Sequence, residues 1–227
     1  MEKFFWSDPP GQYAFPVARA GYPVVFASAF ATLVFALLGF AVLSFLGLLA
    51  TFCICGFFRD PDRAIPEKED AVVSPADGKI IYIGKAENNP LHSENGIKIS
   101  IFMSVFNVHV NRIPYEGQIK KIDYFPGKFF SANLDKASEQ NEHNAVCLET
   151  RFGDEICFVQ IAGLIARRII CYIKPGEQVL KGQRFGIICF GSRLDVYLPD
   201  KFQIDVRIGE KVKAGTSILG RFSPHHP

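Results

Sequence analysis

The chain has 227 residues, with 25 Lys and Arg against 23 Asp and Glu, for a net charge of +2. At 48% apolar and 21% charged it is too hydrophobic for a disordered chain, and so small a basic excess argues against a nucleic-acid binder. The length allows one or two domains with a real core.

That average conceals a split. Residues 20–58 form a run of 39 without a single charge, of which 30 are apolar. The remainder is roughly 42% apolar, ordinary for a soluble domain, so the mean hydropathy of +0.14 is a local property. As one helix the run would extend about 58 Å, against a hydrocarbon core of about 30 Å. Two helices of roughly 18 residues joined near Gly39 fit better, as a transmembrane or deeply buried hairpin. The run begins after 19 residues that include Glu2 and Asp8, and it leads to no small-residue cleavage site, unlike a signal peptide. Arg19 and Arg59 flank it, which favours both ends in the cytoplasm.

Arg59-Asp60-Pro61-Asp62-Arg63 and Ile65-Pro66-Glu67 then form a charged, proline-punctuated linker. The expected division is a membrane-associating segment at 1–58 and a β domain at 59–227. In that domain, short β-branched or aromatic runs lie at 71–73, 79–83, 97–103, 105–110, 117–125, 145–150, 155–161, 168–173, 186–190 and 195–198, separated by turn signals. The polar stretch 129–144 carries no alternation and reads as helical or irregular.

Near the C-terminus Gly176-Glu177-Gln178-Val179-Leu180-Lys181-Gly182 recurs as Gly209-Glu210-Lys211-Val212-Lys213-Ala214-Gly215. Paired glycines around an inward valine suit tight turns of positive φ between short strands. The arrangement resembles the half-motif of lipoyl- and biotinyl-type domains, and residues 74–80 resemble their opening strand. The fold class expected is therefore mainly β: a barrel-sandwich-like domain preceded by a hydrophobic helical hairpin. The six cysteines (Cys53, Cys55, Cys147, Cys157, Cys171 and Cys189) include no C-x-x-C pair and no histidine at zinc spacing, so they read as small buried hydrophobes in a reducing compartment.

The common catalytic signatures are absent: no G-x-S-x-G, no phosphate-binding glycine loop, no H-E-x-x-H. Of the five histidines, His92 falls in a turn-like stretch and His225 and His226 on a terminal tail. On a strand, alternation would place Asn107, His109 and Asn111 on one face and Val108 and Val110 on the other, so that His109 either lines a polar site or is a hydrogen-bonded structural histidine. Asp77 before Gly78, and Ser192 after Gly191, each read locally as turn residues.

The series changes that reading. Phe57-Phe58-Arg59-Asp60-Pro61, Ser74-Pro75-Ala76-Asp77-Gly78, residues 106–114, Tyr124-Phe125-Pro126-Gly127, Asn141-Glu142 and Phe190-Gly191-Ser192-Arg193 occur in an order that resembles the short, proenzyme-type phosphatidylserine decarboxylases. The likeness covers nearly the whole chain. It implies a chain that cleaves itself between Gly191 and Ser192, giving a β chain of residues 1–191 and an α chain of residues 192–227. Ser192 would become a covalent pyruvoyl cofactor that takes the substrate's amine as a Schiff base, with no metal required. Asp77, His109 and Ser192 match the family's self-cleaving set, with Asp77 orienting His109 and His109 serving maturation and decarboxylation alike. Arg112 stands where longer relatives carry a second histidine. Arg112 and Arg193 are candidates for the lipid phosphate. The implied partners are a phospholipid in the cell membrane and the chain's own cleaved half, alone or in a higher oligomer, with the head cytoplasmic. An ether-lipid serine decarboxylase of the same family and a non-catalytic membrane-tethered adaptor are the alternatives; no methionine flanks a lysine as a carrier domain's would.

Overall fold

A computed structural model describes residues 4–5, 16–86, 96–127, 141–163, 168–189 and 192–222. His92, His225, His226, Phe190, Gly191 and most of the polar stretch 129–144 lie outside them. The chain divides into two units, residues 13–62, and residues 1–12 with 63–227.

The first unit is a helical hairpin, α1 (Tyr22–Leu37) and α2 (Ala41–Phe57). Gly39 between them has φ +77°, a left-handed conformation that lets the chain reverse without a Cβ penalty. The seam between the helices is small and polar. Ser28 Oγ lies 2.8 Å from Thr51 Oγ1, and a Cβ on Gly47 would meet Thr32 Oγ1 at 2.5 Å. Thr32 and Thr51 donate back to the Ser28 and Gly47 carbonyls, so each of these three hydroxyls has a partner within the hairpin. Phe26, Phe30, Val42, Phe45 and Phe52 all point outward and exposed. At the base, Ala18 N–H donates to the Phe58 carbonyl and Asp60 N–H to the Pro16 carbonyl, returning the chain to its starting side as the sequence led us to expect.

The second unit is β-rich. Its strands are β1 (Phe4–Phe5), β2 (Ile65–Pro66), β3 (Ala71–Val73), β4 (Gly78–Lys85), β5 (Ile97–Met103), β6 (Val110–Arg112), β7 (Gly117–Phe125) and β8 (His143–Glu149), followed by β9 (Glu155–Ala162), β10 (Arg168–Cys171), β11 (Gln178–Val179), β12 (Arg184–Cys189), β13 (Ser192–Leu198), β14 (Phe202–Ile204), β15 (Lys211–Val212) and β16 (Ile218–Phe222). An eight-stranded antiparallel sheet runs β11-β7-β8-β9-β13-β5-β4-β15, curled as a half-barrel, beside the three-stranded sheets β10-β12-β6 and β14-β16-β3. The main core fills its inner face with residues such as Ile99, Ile101, Phe158, Leu194 and Val196. A smaller cluster of Ala145, Cys157, Val159, Ile161 and Tyr197 covers the other face, the period-two division expected of strands buried on both sides.

The repeat organises this sheet. Gly176, Gly182, Gly209 and Gly215 all have positive φ, between +73° and +92°. Each copy folds alike: Glu177 Oε2 accepts from Lys174 N–H, and Glu210 Oε2 from Arg207 N–H. The buried valines then pair in equivalent ways, Val179 opposite Gly117 on β7 and Val212 opposite Gly78 on β4. The two copies therefore close opposite ends of one sheet, which is the barrel-sandwich architecture read from the sequence.

Two expectations are corrected. Residues 105–109 are not strand, and β6 begins only at Val110; residues 105–107 turn because Asn107 Oδ1 accepts from both the backbone N–H (2.9 Å) and the hydroxyl (2.7 Å) of Ser104. Local side-chain bonding of this kind competes with the ladder. The cysteines, moreover, are not all buried thiols: Cys53 is exposed, and Cys147 and Cys157 form a disulfide. They stand directly opposite each other in the β8–β9 ladder with Cα atoms 4.1 Å apart, a register no spacing rule reveals. Titration without reductant should find four thiols, the four free cysteines. Closing this short loop should stabilise the sheet by ~2–3 kcal/mol, so adding a strong reductant should lower the melting temperature. Six thiols in untreated protein would refute the bridge.

Candidate functional site

Ser192 opens β13 in the middle of the large sheet, with Met103 of β5 on one side and Ala162 of β9 on the other. Its residue is fully buried, and its Oγ has no hydrogen-bond partner among the described residues. Leaving a buried hydroxyl in that state costs ~1–3 kcal/mol. Alternation turns Ser192 and Leu194 to the inner face, and Arg193 to the outer.

His109 lies just before β6 and is also fully buried. Its carbonyl accepts from Ile188 N–H at 3.4 Å, which sets it against the end of β12, three residues from Gly191. Its Nδ1 is 2.9 Å from the Asn107 carbonyl. A carbonyl can only accept, so Nδ1 carries a proton, and in the neutral ring Nε2 then holds the lone pair a general base needs. The Ser104–Asn107 turn is what aims that carbonyl at the ring.

Asp77 is buried, and both its oxygens have partners: Oδ1 accepts from Ala214 N–H at 2.8 Å, and Oδ2 from Arg63 Nη2 at 2.9 Å. It directly precedes β4, whose Lys79 lies opposite Phe102, while Met103 lies opposite Ser192. Asp77 therefore stands at the same end of the sheet as Ser192, two strands or about 10 Å away. The structure places Asp77 and Ser192 toward one end of the large sheet and sets His109 against the last residues of β12. The group it places on His109 Nδ1 is the Asn107 carbonyl, where the triad arrangement would put Asp77.

The two arginines are held in the framework. Arg193 points away from Ser192 to the outer face, where its Nη2 donates to Asp195 Oδ2 at 2.9 Å and Lys98 lies 3.2 Å from the same oxygen. Arg112 Nη1 donates to the Gly182 carbonyl at 2.8 Å, bracing the first repeat. Burial pushes the Cys171 and Cys189 thiols up, so neither is primed as a nucleophile at neutral pH. Among the described residues no group of three or more His, Cys, Asp or Glu could hold a metal ion.

Sequence reasoning missed two further features. His143, on β8 at the same end of the sheet, repeats the local geometry of His109: its Nδ1 is 2.7 Å from the Asn141 carbonyl, and its ring stacks on Phe125 with centroids 4.7 Å apart. The second feature is a buried amide chain in the core. Asn144 Nδ2 donates to Gln160 Oε1 (3.1 Å), Gln160 Nε2 to Asn111 Oδ1 (2.9 Å), and Asn111 Nδ2 reaches Met103 Sδ (3.7 Å). Only Asn111 carried a signal, its alternation with His109; the others become neighbours through register alone.

A half-barrel closed by the two repeat copies, with a buried hydroxyl partnerless among the described residues and an oriented imidazole, defines a mainly β protein of barrel-sandwich architecture. The family described as Phosphatidylserine decarboxylase matches residues 50–220. The chain is 52% identical over 207 residues to a phosphatidylserine decarboxylase proenzyme of Syntrophus aciditrophicus, covering 91% of this chain and 97% of that protein. Proteins of the same description from Desulfotalea psychrophila (50% over 206 residues, 91% and 96%) and Burkholderia pseudomallei (48% over 212 residues, 93% and 97%) are similarly close. The chain belongs to the phosphatidylserine decarboxylase family.

Proposed function

We propose that this chain is a precursor that cuts itself at Gly191–Ser192 and then decarboxylates phosphatidylserine to phosphatidylethanolamine. The observation that carries the reading is the Ser192 hydroxyl, buried without a partner at the one step in the chain where the family's motif places cleavage. His109 Nε2 takes the hydroxyl proton as Oγ attacks the preceding carbonyl, and the C–N bond breaks with the proton delivered to Ser192 N. The resulting ester loses the Ser192 Cα proton and releases the residue 191 carboxylate. Water then replaces the nitrogen, which leaves as ammonia.

The surroundings of Ser192 suit the pyruvoyl group this chemistry would yield. Met103 and Ala162 flank it, both apolar and fully buried, so a ketone there is kept from bulk water. Such a group supplies a carbonyl that captures the substrate's amine and accepts the electron pair left by carbon dioxide. His109 Nε2 then delivers a proton to the carbon that has lost carbon dioxide.

Cleavage need not release the small chain. Residues 192–227 include β13 between β9 and β5, β15 on β4 and β16 on β3, so the two products stay joined by ladders. The lipid's acyl chains require a protein at the bilayer, and residues 19–37 form a helix long and apolar enough to cross one. We assign the hairpin that role.

Intact-mass analysis tests the reading. Two co-purifying pieces of residues 1–191 and 192–227 are expected, the smaller blocked to N-terminal sequencing. His109→Ala should slow cleavage at least ~100-fold and leave the full-length chain. A wild-type protein that stays whole, or a His109→Ala chain that matures and turns over lipid normally, refutes it.

A further inference from the structure

The amide chain Asn144–Gln160–Asn111 is out of place in an apolar core, where each buried polar group is costly unless paired. Its last donor is also poorly paired. Asn111 Nδ2 points at a thioether sulfur 3.7 Å away, a weak acceptor. The placement explains what such a donor is for. Gln160 is on β9, the register partner of Leu194, and Met103 is on β5, the partner of Ser192. Because β9 and β5 flank β13 on its two sides, an amide bonded to one residue of each lies across β13, at the level of Ser192 and Leu194. Asn111 comes from the facing sheet, two residues after His109, and extended backbone sends both side chains the same way.

The neighbours hold it in one orientation. Gln160 Nε2 occupies Asn111 Oδ1, so the NH2 of Asn111 is the end turned toward Met103, the register partner of Ser192. Asn144 in turn occupies Gln160 Oε1, fixing that amide. Gly186, the ladder partner of Asn111, leaves the space: a Cβ there would come within 2.9 Å of Gln160 Nε2. A preorganised donor with only a sulfur to serve is what a site requires when the real acceptor exists only during the reaction.

Resting on the self-cleavage reading, we propose that Asn111 donates to the oxyanion formed when Ser192 Oγ attacks the carbonyl before it, with Gln160 and Asn144 as positioning residues. In that step the Oγ lone pair forms the new C–O bond, the carbonyl π pair moves onto its oxygen, and the Oγ proton passes to His109 Nε2. The Asn111 N–H moves from Met103 Sδ to the new anion. When the anion collapses the C–N bond breaks, Ser192 N takes the proton from His109, and the Asn111 N–H returns to the sulfur.

The test follows precursor decay on gels for the full chain carrying Asn111→Leu, with Gln160→Met as a second variant that cannot fix the amide. Asn111→Leu should cleave ~100-fold or more slowly, and Gln160→Met about tenfold more slowly. Hydroxylamine separates a chemical role from a structural one, because it cuts a chain stalled at the ester. Asn111→Leu, stalled before the ester forms, should stay whole in hydroxylamine and still melt cooperatively. Cleavage within threefold of wild type, or release of the small chain by hydroxylamine, overturns the assignment. If Asn111→Leu fails to fold, Gln160→Met decides on the same readouts. A wild-type chain that never cleaves removes the functional reading as well, whereas normal cleavage by the variants removes only this one.

Discussion

Ser192→Ala should yield a single full-length chain at every incubation time, with no decarboxylase activity, and should melt no lower than processed wild-type protein. The first part follows from chemistry. Alanine has no oxygen to attack the preceding carbonyl, so neither the ester nor anything after it can form. A thiol can begin the same sequence, so Ser192→Cys should retain slow cleavage. The second part follows from packing. Ser192 Oγ is buried with no partner among the described residues, so its removal forfeits no hydrogen bond and leaves a methyl against Met103 and Ala162. Relief of that unsatisfied hydroxyl counts against the uncleaved precursor, which still carries it; against the processed protein, whose Ser192 has become the pyruvoyl group, the unbroken 191–192 bond keeps the unfolded chain less free. Differential scanning calorimetry of the two proteins checks it. A Ser192→Ala protein several degrees less stable than the uncleaved wild-type precursor would show that the hydroxyl is a structural partner and not a group held for chemistry.

This cost at Ser192 marks where sequence reading stops and register begins. The hairpin was legible because its signal is composition: a charge-free run too long for one helix, with a glycine at the middle. The barrel closure was legible because two seven-residue copies place four glycines where backbone sterics demand positive φ, and all four adopt it. The runs at 97–103 and 117–125 coincide with β5 and β7 to the residue. What could not be read depends on which strands become neighbours. Cys147 meets Cys157, and Gln160 meets Asn111, through pairings separated by 10 and 49 positions that no local pattern encodes. The turn at Ser104–Asn107 was hidden for a different reason. Val105 and Phe106 have strong strand propensity, yet Phe106 is the most exposed large hydrophobic residue described, at 84%, because the Asn107 side chain wins the local competition for Ser104.

Asp77→Asn should fold and should cleave itself about 10- to 100-fold more slowly, while Asp77→Ala should lose ~2–4 kcal/mol of stability as well. Asp77 ties three segments: Arg63 of the linker, Ala214 of the second repeat, and its own turn, where Arg112 N–H donates to the Pro75 carbonyl. Asparagine can still accept from Ala214 N–H, so the tie largely survives. What it loses is the charge that neutralises Arg63. When His109 takes the Ser192 proton it becomes an imidazolium, and the like charge of a guanidinium left uncompensated at the same site opposes that. That is the origin of the moderate slowing. The triad arrangement makes a different demand. A carboxylate bonded to Nδ1 sets the tautomer, and its loss costs about 10⁴-fold in a serine–histidine–aspartate enzyme. Here the Asn107 carbonyl already holds Nδ1 at 2.9 Å, so the tautomer should survive the substitution. Single-turnover cleavage rates of the two variants, measured beside their melting curves, separate the cases. A 10⁴-fold loss in a stable Asp77→Asn protein would mean that the carboxylate leaves Arg63 for the ring when the reaction starts. A loss confined to Asp77→Ala would mean that Asp77 is a structural tie alone, with the self-cleaving machinery reduced to His109, Ser192 and the groups that orient them.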